Sequence, residues 1–240
     1  MNGEVLPRRI WLCADDYGLS PGVNRAIRDL VARRRLNATS VMVVGPAAGR
    51  DEIAALGEAA AQNPRCAIGL HATLSAPFHP LTMHFRPLDG GLFPPFATLL
   101  RQGVLRRLDP EIIRAEVSAQ LAAFAEKFGR PPHFVDGHQH VQLFPQVRDA
   151  FLTAVKEAAP KAWVRQGGRP QPLAQRLGMP KALLLDMLSV PFRRSPGSRP
   201  DASASSTQKA GKRSAARRPS ASRASSPNST SVTGASMPAA

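Results

Sequence analysis

Carboxylate and imidazole side chains occur at three places where predicted β-strands end. Asp15 and Asp16 follow an apolar run, His71 closes the run 66–71, and the segment Asp-Gly-His-Gln-His occupies residues 136–140. One carboxylate and two imidazoles commonly hold a divalent metal ion and leave coordination positions open for water and substrate. Because the carboxyl ends of parallel strands lie on one rim of a sheet or barrel, the sequence predicts a metal site on that rim.

The two neighbouring carboxylates are expected to differ in role. Adjacent strand residues point to opposite sides, so one of Asp15 and Asp16 can bind the metal while the other approaches the water as a general base. His138 and His140 would share one side of an extended chain, so their spacing does not choose between them. Each group also has a structural interpretation, since Asp-Asp can form a turn or a helix cap and His71 can be a core histidine.

Predicted strands and helices alternate over residues 9–190. The strands are expected at 9–14, 39–44, 66–71, 133–136 and 162–164, and the helices at 21–31, 53–61, 110–128 and 145–159, before a final apolar segment at 183–190. Residues 74–108 are rich in Pro and Gly and lack sustained periodicity, which indicates a functional lid or an element that the pattern does not reveal. This α/β alternation predicts a parallel sheet, either open or closed into a barrel.

The last fifty residues differ sharply from the rest in composition. Residues 191–240 contain 13 Ser, 10 Ala, 9 Lys or Arg and 6 Pro, but only one acidic residue, Asp201. Such a segment cannot bury enough apolar surface to offset its chain entropy, so we expect a domain at 1–190 and a disordered tail at 191–240. Eight of the net +15 charges belong to this tail, and the basic balance therefore does not predict nucleic-acid binding by the folded part.

Other features exclude further classes of protein. Cys13 and Cys66 lie in apolar runs and are expected to be reduced core thiols rather than a disulfide framework. No apolar run approaches the roughly 18 residues of a membrane span, and the short run at 10–14 is too brief for a signal peptide. We expect a cytoplasmic protein with no specific nucleic-acid partner and no membrane partner, which could form homo-oligomers.

Three segments together resemble a known family. Ala-Asp-Asp-Tyr-Gly-Leu-Ser at 14–20, Ile-Gly-Leu-His at 68–71 and Asp-Gly-His-Gln-His-Val-Gln-Leu-Phe-Pro at 136–145 are similar to the YdjC-like carbohydrate deacetylases. That family includes chitooligosaccharide deacetylases and hopanoid-biosynthesis-associated relatives, and the resemblance covers residues 9 to about 190. It implies a distorted (β/α) barrel that hydrolyses the N-acetyl group of an acetylated amino sugar or oligosaccharide.

The resemblance also implies roles for individual residues. Asp16, His71 and His138 would be the metal ligands, commonly of Mg²⁺, with Zn²⁺ or another divalent ion as the alternative. Asp15 would be the general base of a metal-assisted amide hydrolysis. His140 would lie near the site, behind the ligands or against substrate, and Tyr17 would either contact substrate or simply pack.

One part of the family pattern is missing from this sequence. A later strand of the family carries a His-Pro motif whose histidine is assigned to acid catalysis, whereas no histidine follows His140 here. The barrel is therefore expected to be incomplete at its C-terminal end and the deacetylase activity impaired. The tail at 191–240 would be an out-of-frame translation, a genuine disordered segment, or a basic segment that binds nucleic acid or acidic surfaces.

Other functions remain as alternatives to the deacetylase. The first is a non-catalytic metal- or sugar-binding remnant of the family, which shares the ligands but does not turn over substrate. A second is a different metallohydrolase such as a phosphoesterase, although few ligands are available for two metals. A third is a nucleic-acid binder that depends on residues 191–240.

Overall fold

The described part of the chain is an α/β fold with one five-stranded parallel sheet. The computed structural model describes residues 10–85, 88–166 and 188–190, so the tail predicted at 191–240 lies outside the described residues. The sheet has the order β1-β2-β3-β4-β5, with strands Cys13–Tyr17, Ala38–Val41, Ala67–Ala72, Phe134–Gly137 and Trp163–Val164. Each strand pairs in parallel with the next one along the chain.

Five α-helices connect these strands in the described residues, and they cover one face of the sheet. They are α1 (Pro21–Ala32), α2 (Arg50–Ala61), α3 (Phe96–Val104), α4 (Pro110–Phe128) and α5 (Val147–Ala158). Helix α1 packs on α2, α4 packs on α5, and α2 contacts α4. Parallel strands in sequential order with right-handed crossovers place every helix on the same side, unlike a doubly wound sheet.

The helix boundaries follow from capping residues in the sequence. Ser20 caps α1 by accepting a hydrogen bond from the Val23 N–H at 3.3 Å. Asp109 caps α4 in the same way, and Gly129 ends that helix at φ +64°. Helix α3 lies inside the stretch 74–108, where the sequence pattern reveals no helix. It begins after Pro95 without a capping side chain, so its start lacks the sequence signal that marks α1 and α4.

The second face of the sheet is concave and carries aromatic rings. Trp11, just before β1, and Trp163 in β5 have ring centroids 5.6 Å apart, whereas the outer strands of a flat five-stranded sheet would lie about 19 Å apart. The ring of Phe134 stacks on Trp163 with centroids 4.6 Å apart and covers Gly69, where an added Cβ would come within 2.6 Å of that ring. The strands therefore curl around a narrow inner face.

Two further expectations, on the cysteines and on membrane-spanning helices, can be compared with the described residues. Cys13 and Cys66 are both free thiols, as predicted, and burial raises the pKa of Cys66 to about 11. None of the helices in the described residues combines the length and apolar character that crossing a bilayer requires.

Candidate metal centre

A β-bulge at the end of β1 turns two consecutive carboxylates towards the same rim. Between the pairs Ala14–Thr39 and Tyr17–Val41, β1 contains two residues where β2 contains one. Asp16 has φ +67° in the left-handed region, and the usual alternation of strand side chains is broken there. The premise that Asp15 and Asp16 point to opposite sides is therefore wrong, because both approach the end of β3.

Asp16, His71 and His138 form a triangle of potential ligand atoms. Asp16 Oδ1 lies 3.0 Å from His138 Nδ1 and 3.2 Å from His71 Nε2, and the two ring nitrogens are 3.3 Å apart. With metal–ligand bonds of about 2.1 Å, neighbouring ligands at octahedral or tetrahedral angles lie about 3.0–3.4 Å apart. The three groups could therefore hold one divalent ion, since their ligand atoms all lie within 4.8 Å of one another.

His138 reaches this triangle because the chain does not continue as a strand after Gly137. Residues His138–Leu143 form a 3₁₀ segment in which Gln139 and His140 have φ +54° and +61°. His138 and His140 are consequently not on one side of an extended chain. His138 joins the triangle, whereas His140 is outside it, and burial together with the nearby Arg165 lowers the pKa of His140.

His71 connects the triangle to a buried carboxylate. Its Nδ1 lies 2.6 Å from Asp136 Oδ1, and its Nε2 faces Asp16. When the ring nitrogen that does not bind the metal donates a hydrogen bond to a carboxylate, that bond fixes the ring orientation and raises the basicity of the histidine. Burial opposes protonation of His71, but the carboxylates of Asp136 and Asp16 outweigh it and raise its pKa to about 9.

A ring of polar side chains lies beneath the triangle, with one residue from each strand or its end: Asp15, Ser40, His71, Asp136 and Arg165. Ser40 Oγ is 3.2 Å from both Asp15 Oδ1 and His71 Nδ1. Arg165 donates two hydrogen bonds to Asp15, at 2.7 and 2.6 Å, and its Nη2 lies 2.9 Å from Asp136 Oδ2. The single positive charge of the guanidinium is thus shared by the two carboxylates between which it lies.

This ring sets the charge state of Asp15. Burial would raise the pKa of Asp15, but the hydrogen bonds and positive charge of Arg165 outweigh that effect and hold the pKa below its ordinary value. The same surroundings raise the pKa of the Cys13 thiol, first through burial and then through the charge of Asp15. At neutral pH the carboxylate is therefore ionised beside a neutral thiol.

Tyr17 is the predicted site residue that the structure does not bring to this rim. Its side chain is fully buried, its hydroxyl donates to the backbone carbonyl of Glu52, and it also accepts from Arg28 at 3.1 Å. Tyr17 therefore packs between the sheet and helices α1 and α2, which is the second of its two predicted alternatives.

The sequence analysis gave no role to four residues around the centre: Ser40, Phe78, Asp136 and Arg165. The Phe78 ring meets His138 edge-on, with centroids 5.7 Å apart at 88°. Asp136 is part of the segment 136–140 that the sequence analysis names, but its place beside His71 follows from the pairing of β3 with β4. Ser40 and Arg165 carry no local sequence pattern, since only the strand register places them on the inner face.

Comparison with known proteins identifies the family of this chain. A family profile described as "YdjC-like protein" matches residues 9–231. The chain belongs to the YdjC-like family. The matched range extends beyond residue 190, into the segment predicted to be the tail.

Curated relatives similar to this chain include chitooligosaccharide deacetylases. The enzyme of Serratia marcescens is 33% identical over 142 residues, which are 56% of this chain and 50% of the relative. The enzyme of Proteus mirabilis is 34% identical over 144 residues, which are again 56% and 50%. The chain thus spans about half the length of the curated relatives it matches.

A solved structure from Enterococcus faecalis V583, described as a "putative cellobiose-phosphate cleavage protein", has a similar fold. Its TM-score is 0.54 at 21% identity, and the match covers 75% of this chain and 64% of that protein. At this level of identity the similarity concerns the fold alone.

Proposed function

We propose that this chain is a metal-dependent hydrolase that removes N-acetyl groups from amino sugars. The triangle of Asp16, His71 and His138, with sides of 3.0–3.3 Å, is the observation that carries the proposal. One carboxylate and two imidazoles on one side of an ion leave its other positions for water and substrate. The relatives named as chitooligosaccharide deacetylases support an acetylated amino sugar or its oligomers as the substrate class.

The residues of this chain would divide the work as follows. When bound, a divalent ion supplies Lewis-acid activation of the acetyl carbonyl and of water. Asp15 accepts the proton of the attacking water, a contribution of typically ~10²–10⁴-fold for a positioned acid–base group. Arg165 and Ser40 hold the Asp15 carboxylate in one orientation through three hydrogen bonds. His140 would lie beside this site without binding the ion.

We propose Mg²⁺ as the ion, with Zn²⁺ as the alternative. A carboxylate suits Mg²⁺, whereas imidazole ligands are more typical of Zn²⁺ and similar transition metals. The donor set alone allows both, so the two ions are compared directly in the experiment below.

The fold proposal is a distorted (β/α) barrel that is incomplete within residues 1–190. It is supported by the sequential strand order and by the approach of Trp11 to Trp163 across the concave face. The tail at 191–240 and its out-of-frame origin remain predictions. The nucleotide sequence beyond codon 190, translated in all three frames, tests that origin.

A non-catalytic metal- or sugar-binding remnant is the second candidate function. The observation that favours it is the absence of any histidine after His140, because the nitrogen of an amide must be protonated before it can leave. The two candidates share the same ligands and differ only in turnover.

Acetate release from N,N′-diacetylchitobiose by the full 240-residue chain tests the deacetylase. We expect slow release, because the late histidine is missing, and we expect this release to be abolished by a chelator and restored by Mg²⁺ or Zn²⁺. D16N should lose both metal binding and turnover, whereas D15N should bind metal and lose turnover. D51N removes an exposed carboxylate from α2 and serves as the matched control. Metal binding without any chelator-sensitive release would favour the remnant instead.

A further inference from the structure

Two buried polar side chains on helix α4 hold the segment that follows β3. Gln120 accepts the Thr73 N–H at 2.9 Å and donates to the Thr73 carbonyl at 2.7 Å. Glu116 accepts the Leu81 N–H at 3.0 Å and the Thr82 N–H and hydroxyl at 2.8 and 2.7 Å. The segment Thr73–Thr82 is therefore fixed at both of its ends by one helix.

The Glu116 carboxyl group depends on this segment for its partners. Its side chain is fully buried, and a buried carboxyl group is costly unless donors satisfy its oxygens. Within the described residues, its oxygens accept three hydrogen bonds from Leu81 and Thr82 and one from the Gln120 side chain at 2.9 Å. Moving the segment away would leave these oxygens without most of their hydrogen bonds, so the clamp favours one position of the segment.

Phe78 lies between the two anchors and faces the metal centre. Its ring meets His138 edge-on at 5.7 Å, and its carbonyl accepts the Phe93 N–H at 2.9 Å. On its other side His138 meets His71, with ring centroids 5.3 Å apart at 79°. The His138 imidazole is thus held between one histidine of the triangle and one ring carried by the clamped segment.

We propose that Glu116 and Gln120 are positioning residues of the metal centre, which act through the segment Thr73–Thr82 and the Phe78 ring on the orientation of His138. The inference rests on the proposed assignment of His138 as a ligand. Neither α4 side chain belongs to the ligand triangle, and their effect is to restrict the rotation of a ligand before the metal binds. Partners that orient a ligand typically change metal affinity 10–100-fold when they are removed.

Titration of the full chain with Co²⁺, followed by its visible absorption, tests this inference. In E116Q an amide N–H₂ replaces one acceptor oxygen, so the side chain can no longer accept from both backbone N–H groups, of Leu81 and of Thr82. We expect Co²⁺ to bind E116Q about 10-fold more weakly than wild type. E126Q makes the same change at an exposed position of α4 and should bind like wild type.

Hydrogen exchange shows whether the clamp itself has been loosened. At least one of the Leu81 and Thr82 amides should exchange faster in E116Q, and both should exchange at the wild-type rate in E126Q. If these amides exchange faster while Co²⁺ affinity stays at the wild-type value, the inference is overturned. T82V removes a single hydrogen bond to Glu116 and keeps the test available should E116Q not fold, with the same two readouts and a smaller expected loss.

F78L separates the ring contact from the clamp. It should weaken Co²⁺ binding without accelerating exchange at Leu81. The affinity loss of the double variant E116Q/F78L should be smaller than the product of the two single losses. Fully additive losses would mean that Glu116 acts by another route and would contradict the proposed one. Failure of the wild-type chain to bind Co²⁺ at all would instead refute the proposed metal centre.

Discussion

Arg165 and Asp15 are 150 residues apart in the sequence, yet they share two parallel hydrogen bonds of 2.7 and 2.6 Å across the concave face of the sheet. The guanidinium directly follows the last described strand and the carboxylate lies within the first, so this pair joins the two outer strands of the described sheet. Because Arg165 also lies 2.9 Å from Asp136, one positive charge compensates two carboxylates.

Loss of the Arg165 charge should destabilise the fold. R165M leaves Asp136, which is buried, and Asp15, which is partly buried, without their cation. Breaking a buried ion pair costs 3–5 kcal/mol, and the partial exposure of Asp15 reduces this, so we expect a loss of about 2–3 kcal/mol in the free energy of unfolding in urea.

R148M is the matched control for this measurement. Arg148 also forms two hydrogen bonds with one carboxylate, that of Asp149, but this carboxylate is exposed. Its loss should change stability by less than about 1 kcal/mol. Equal losses in R165M and R148M would show that the inner pair is no stronger than a surface ion pair.

Replacement of Asp136 should weaken metal binding without removing a ligand. In D136N the strong hydrogen bond from His71 Nδ1 to a charged carboxylate is lost, and the ring is free to adopt other orientations. We expect a 10–100-fold loss of Co²⁺ affinity at pH 8. D149N changes an exposed carboxylate on α5 and should leave the affinity at its wild-type value. Unchanged binding by D136N would contradict the orienting role of Asp136.

Local sequence patterns predict much of the fold but leave the choice of ligands open. The helix caps Ser20 and Asp109 and the apolar strand runs are local, and they predict most elements to within a few residues. The family resemblance then selects Asp16, His71 and His138, which the structure brings together. Local patterns therefore show which strands end in reactive groups.

The remaining features depend on geometry that neighbouring residues do not encode. The bulge at Asp16 depends on the pairing of β1 with β2, and the positive φ values after Gly137 depend on how the chain turns towards helix α5. Arg165 joins the site only because the sheet curls by a particular amount. These properties arise from strand register and curvature, which single-sequence patterns do not specify.

Glycine at position 69 is required by the ring that covers it. In G69A the new Cβ would lie 2.6 Å from the Phe134 ring, on the inner face below His71. We expect a loss of about 1–3 kcal/mol in the free energy of unfolding. G57A on α2 meets no atom within 4 Å and should be neutral or stabilising by up to ~1 kcal/mol. If G69A left the free energy of unfolding unchanged, the Phe134 ring would be able to move aside and make space for the added methyl group.

The missing late histidine predicts a selective defect in turnover. An amide leaving group needs a proton, whereas the 4-nitrophenolate of 4-nitrophenyl acetate leaves without one. We therefore expect the 240-residue chain to hydrolyse this ester in a manner that requires metal and Asp15, and to release little acetate from N,N′-diacetylchitobiose. Chelator, D15N and D16N separate this reaction from background ester hydrolysis by surface groups. Robust acetate release from the amide would refute the prediction, because protonation of the nitrogen would then need no histidine after His140.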